Sequence, residues 1–140
     1  MKNQNYIMPG AHWFLRGAVA SVFLFHGVTK FPQLNQLADM MKMPVVMIGM
    51  LATVETLGAL LILLGGLFKD WMTRLGAFIV IPVMLGAILK VHWGQWSFIP
   101  SQSHPMGGIE FQITLLMILS YLFVMGNRVK FVKAVSRTSQ

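Results

Sequence analysis

The chain has 140 residues, 56% of them hydrophobic and only 11% charged, about half the charged share of a typical soluble domain. It carries a net charge of +7 and no cysteine. The missing thiols exclude a disulfide relay, a thiolate nucleophile and an iron–sulfur cluster held by this chain alone.

Crossing a bilayer core of about 30 Å takes about 20 apolar residues in a helix. Four segments meet that length, at residues 13–31, 45–68, 72–91 and 107–126. They use most of the chain, so the expected architecture is all-α: one integral membrane domain over residues 1–140, a four-transmembrane-helix antiparallel bundle. Ahead of the first segment, Pro9 and Gly10 are expected to end a short polar lead. Trp13 suits a membrane interface, and Arg16 is expected to snorkel there. The segment is too long and polar-tipped for an obvious cleaved signal peptide. It closes at Phe31-Pro32, and Leu34, Leu37 and Met40 then recur at helical spacing, which predicts a short interfacial helix.

The second segment starts behind Pro44, a residue suited to a helix start. It runs to Gly65-Gly66, and the short link to the third segment forces an antiparallel hairpin. Pro82 is expected to kink the third segment. Small residues at Gly17, Ser21, Gly49, Thr53, Thr56 and Gly76 mark places for close helix approach. The long connection after the third segment, residues 93–106, is polar and aromatic.

Basic residues cluster at one set of ends: Lys2, Arg16, Lys69, Arg74, Arg128, Lys130, Lys133 and Arg137 against Lys30, Lys42 and Lys90. The positive-inside rule then places both termini in the cytoplasm. Basic residues beside membrane segments point to anionic lipid headgroups, and nucleic acid is set aside.

A charged side chain in mid-bilayer costs about 2.5–3.5 kcal/mol on insertion scales, so Glu55, inside the second apolar run, calls for a partner or a cavity. At about 1.5 Å per residue, His26 lies about 8 Å and Glu55 about 15 Å below the outer surface. Lys90 and His92 mark the outer end of the third segment, and Glu110 falls about one turn inside the fourth. Phe23, His26 and Lys30 share one helical stripe, as do Gly86, Lys90 and Trp93, and Glu110, Thr114 and Met117. A common polar pocket in the outer half is expected, with Lys30 or Lys90 paired to Glu55 or Glu110. The bland alternative is that these charges only neutralise one another and fix the packing.

Four stretches in order carry a family resemblance: Arg16 with Phe25-His26-Gly27 and Lys30; Val54-Glu55 with Gly58 and Gly65-Gly66; Lys90-Val91-His92; and Gly107-Gly108-Ile109-Glu110-Phe111. Together they resemble the DoxX family of small four-span membrane proteins, which includes the DoxD-type subunit of thiosulfate:quinone oxidoreductase. The bundle is also similar to that of the methylamine-utilisation protein MauE and of vitamin K epoxide reductase, whose thiol chemistry is absent here. The resemblance implies a polar pocket that takes a quinone headgroup or a redox partner.

The leading expectation is therefore a quinone-interacting or accessory subunit of a membrane oxidoreductase. Its ligand-binding candidates are His26, Lys30, Glu55, Lys90, His92, Trp93 and Glu110. His26 and Lys30 would donate to carbonyls, and Glu55 and Glu110 would relay protons. Trp93, Trp96 and Phe98 would close the mouth. No flavin or iron–sulfur cluster is expected in the chain, so electrons would come from a separate protein. Three alternatives stand beside it. One is a metal or haem site built from His26, Glu55, His92 and Glu110. A second is an assembly role, with a protein partner or a homo-oligomer docking on the methionine-rich stretch Met40, Met41, Met43, Met47 and Met50. Transport through the bundle is the third.

Overall fold

The computed structural model describes residues 8–127, and among these every regular element is helical. The chain runs through α1 (Met8–Lys30), a 3-10 turn (Phe31–Gln33), α2 (Leu34–Met41), α3 (Val45–Leu67), α4 (Asp70–Ala87), a π-helical turn (Ile88–His92) and α5 (Glu110–Met125). Two stretches are long and apolar enough to cross a membrane: α3, and α4 continued through its π turn, each of 23 residues. The last helix, α5, is apolar but has only 16 residues.

Each element follows from local chemistry. Pro44 caps α3, and its carbonyl accepts the N–H groups of Met47 and Ile48 at 2.9 and 3.3 Å. Along α3 the buried positions Ile48, Ala52, Glu55, Ala59 and Ile62 recur every three or four residues, one continuous inward stripe. Thr73, Ala77, Val80 and Met84 repeat that spacing on α4, as do Leu115, Leu119 and Leu122 on α5. The outward faces carry large apolar side chains such as Phe14, Val46, Phe78 and Met117, which suits a hydrocarbon surround.

Helix α3 packs against α1 on one side and α4 on the other; α5 then packs on α4 and touches α1 lightly. Because lipid and leucine are equally apolar, such helices associate through close packing and polar contacts more than through the hydrophobic effect. The tightest approach joins α3 to α4. A Cβ on Gly76 would lie 2.6 Å from the Gly58 carbonyl oxygen, and one on Gly58 would lie 2.2 Å from Val80. Gly76 thus makes the approach its size predicts. Gly17 and Gly49 do not, since a Cβ there would meet nothing within 4 Å.

Several expected boundaries shift. Helix α1 begins at Met8 and runs through Pro9 and Gly10, because a first-turn proline has no intrahelical N–H bond to lose. The predicted lead at residues 1–7 lies outside the described residues, as does the basic segment 128–140. The expected fourth segment at 107–126 starts only at Glu110, because residues 107–109 belong to the loop. There Gly108 N–H donates to the Ser97 carbonyl at 2.8 Å, Ile109 N–H to Gln95 and Glu110 N–H to Trp96, both at 2.9 Å. These bonds satisfy N–H groups that a helix start leaves without partners. Helix α4 continues through Pro82, and its regular winding gives way only at the π turn.

Neighbouring helices alternate in direction, as contacts at one end require. Arg16 near the start of α1 reaches Ile62 near the end of α3, Thr73 at the start of α4 and Gly126 just past α5. These contacts mark the termini end of the bundle. The opposite, loop end carries α2 and the connection 93–109.

Candidate functional site

Polar side chains gather at two levels. At the termini end, Arg16 is only 2% exposed, and both terminal nitrogens of its guanidinium are engaged. One terminal nitrogen donates to the Ile62 carbonyl and to Thr73 Oγ1, both at 2.7 Å. The other donates to the Gly126 carbonyl at 3.2 Å and to Asn127 Oδ1 at 2.7 Å. The Thr73 hydroxyl donates to Asn127 Oδ1 at 2.9 Å, and Asn127 Nδ2 donates to the Gly65 carbonyl at 2.7 Å. A Cβ at Gly65 would lie 2.4 Å from Thr73, so the glycine leaves room for this contact.

Beside this cluster, Asp70 accepts the Asn127 N–H and pairs with Arg74 at 2.7 Å. Arg74 in turn donates to the carbonyls of Phe123 and Val124, both at 2.8 Å, and of Met125 at 3.3 Å. These last carbonyls of α5 have no further helical turn to accept from, and the helix dipole favours a cation there. Gly126 makes the corner with φ +57° and ψ −126°, and a Cβ there would strike Asp70. The expected snorkelling of Arg16 is therefore replaced by burial. Carbonyls and side-chain oxygens from the other helices reach the guanidinium before water does.

At the loop end, Lys30 Nζ lies 2.5 Å from Glu55 Oε2 and also donates to the His26 carbonyl at 3.2 Å. The two side chains are 19% and 9% exposed, so the pair is sheltered but can be reached. Helix α1 sits close on α3 here, because a Cβ at Gly27 would be 2.9 Å from the Ala52 carbonyl. The His26 side chain sits one turn before Lys30, exposed, with its ring edge-on to Phe25. It makes no ring hydrogen bond among the described residues. Phe23 is buried while His26 is exposed, so the expected shared stripe divides between the core and the outer surface.

The other candidates attach to the loop. His92 Nδ1 lies 3.0 Å from the Gly107 carbonyl. Glu110 is the first residue of α5, not one turn inside it, and its carboxylate accepts the Phe98 N–H at 3.2 Å. Trp93, Trp96 and Phe98 are more than 60% exposed, so they stand out from the loop without covering a cavity. Lys90 lines an open groove of about 560 Å³ with Lys42, His104 and several methionines. The structure thus brings Lys30 to Glu55 with His26 beside them, and puts Lys90, His92, Trp93 and Glu110 on the loop side. Among the described residues no group of three or more His, Asp or Glu side chains comes together as a metal-ligand set, so His26, Glu55, His92 and Glu110 do not form one.

The DoxX family model matches residues 11–93, more than half of the chain. The chain belongs to the DoxX family. No curated protein and no solved structure matches it. The DoxX match covers Arg16, the Lys30–Glu55 pair, Thr73 and the π turn, and ends before the loop and α5 that carry Glu110. DoxX membership, together with two helices long and apolar enough to span, supports a membrane protein. Sequence reasoning did not foresee the partners of Arg16. Only Arg16 itself, a charge in an apolar run, was a visible signal; Thr73 and Asn127 carried none.

Proposed function

We propose that the chain is a four-span subunit of the bacterial inner membrane that presents a hydrogen-bonding site to a quinone arriving laterally from the bilayer. The observation that carries this reading is the sheltered Lys30–Glu55 pair on apolar helices, with an exposed imidazole one turn away. All four long helices would cross: α1 and α3 at about 35 Å each, α4 with its π turn, and α5 at about 24 Å with help from the loop at its start. The charge bias then puts the termini end in the cytoplasm and the pair in the outer half of the membrane.

The residues fit a carbonyl-bearing ligand. An ammonium has three protons, and Lys30 spends one on Glu55 and one on the His26 carbonyl. The third proton and the free His26 ring supply two donors at a membrane-accessible face. The contact with Glu55 Oε2 fixes the position of the Lys30 ammonium. A quinone would supply two-electron acceptor chemistry when bound, with the electrons delivered by a partner protein.

The test is titration of protein reconstituted in nanodiscs with a water-soluble quinone, read by tryptophan fluorescence and by native mass spectrometry for retained quinone. Saturable binding that His26→Ala weakens about tenfold supports the reading, since one hydrogen bond to a charged or exposed group is worth about 1–2 kcal/mol. Protein that retains no quinone and shows no fluorescence change ends it.

A further inference from the structure

At the loop end, α2, the π turn and the connection 93–109 enclose the open groove lined by Met40, Lys42, Met43, Lys90, His104 and Met106. Its chemistry is two-sided. Thioethers make an apolar, adaptable wall. The lysines are two ammonium groups that make no ion pair or side-chain hydrogen bond among the described residues. No acidic residue lines the groove, and Asp39, the nearest acid in sequence to Lys42, is not part of the wall.

Both lysines are set by irregular backbone. Lys42 ends α2 in the left-handed region at φ +51°, where glycine is the usual residue. Lys90 sits inside the π turn, whose extra residue rotates it away from where a regular α4 would carry it. The facing wall is fixed as well. His104 has Nε2 2.9 Å from the Trp93 carbonyl and Nδ1 3.1 Å from Ser103 Oγ.

The methionines and a histidine suggest a soft metal at first sight. The charges decide against it, because two unpaired ammonium groups repel a cation and both ring nitrogens of His104 are engaged. The complementary ligand is an anion with an apolar body. We infer that this groove holds the phosphate of an anionic glycerophospholipid between Lys42 and Lys90, with an acyl chain lying along the methionine wall. The site is separate from the Lys30–Glu55 pair and does not depend on what meets that pair.

The experiment is native mass spectrometry of the full chain purified from nanodiscs of equal phosphatidylglycerol and phosphatidylcholine, with thermal unfolding to verify folding. The wild type retains phosphatidylglycerol preferentially. The double variant K42Q/K90Q lowers that preference about thirtyfold, as two lysines near an anionic headgroup imply. The K42R/K90R variant keeps most of it. Lys69→Gln, a charge change at the opposite end, leaves it unchanged. An equal loss in Lys69→Gln and K42Q/K90Q overturns the inference, because surface charge alone then explains retention. It is also overturned if K42Q/K90Q folds and keeps the preference, or if millimolar inorganic phosphate strips the bound lipid from the wild type as readily as from K42Q/K90Q.

Discussion

The two ends of the bundle use charge in opposite ways. At the termini end, Arg16 and Arg74 have their donors aimed at carbonyls, Thr73, Asn127 and Asp70. At the loop end, Lys30 keeps a donor in hand, the His26 ring has no hydrogen bond among the described residues, and Lys42 and Lys90 face an open groove. A closed network holds helices in place; an open one has something left to offer a ligand. Polar residues in an apolar bundle are thus better sorted by whether their bonding capacity is spent than by depth.

The sharpest way to break the comparison is Arg16→Ala. It leaves the Ile62 and Gly126 carbonyls, Thr73 and Asn127 without their cation, and losing one partner of a buried charged network costs about 3–5 kcal/mol. Thermal unfolding in detergent should show the largest drop of any single variant, and Arg16→Lys should not rescue it, because an ammonium cannot span the same fork. Next come the single variants Lys30→Met and Glu55→Met. Each strands its partner in a sheltered layer and should destabilise by about 3 kcal/mol.

A smaller loss is expected at Asn127→Ala, about 1–2 kcal/mol, since it removes bonds to Arg16, Thr73 and Gly65 while water at the bundle end offers replacements. Smallest is Lys42→Gly. It relieves the left-handed backbone and should stabilise by up to about 1 kcal/mol while costing lipid retention. A loss of stability there would mean that the lysine side chain supports the fold.

Much of the fold was legible because apolar run length and three-to-four spacing report helices directly. All four expected segments have a helix, and Leu34, Leu37 and Met40 do announce α2. The ends were less legible. Pro9 is harmless in a first turn, and residues 107–109 are held by loop hydrogen bonds that no local pattern announces. At the site, the pairing of a lysine with a carboxylate followed from the cost of burying a lone charge, but the choice of Lys30 and Glu55 over Lys90 and Glu110 did not. The facing of His26 did not, because spacing tells which residues share a stripe and not where the neighbouring helix stands. Arg16 was misread for the same reason. Its depth suited an interface, but its acceptors come from three other parts of the chain, near Ile62, Thr73 and Gly126.

The most direct measurement is the double variant Lys30→Met/Glu55→Met, assayed together for thermal unfolding and quinone titration in nanodiscs. Replacing both members of a buried pair by apolar residues of similar volume is often neutral or stabilising. The account predicts a melting temperature near that of the wild type with quinone affinity reduced at least about tenfold. A folded double variant that binds quinone as the wild type does would contradict it and leave the pair as packing alone.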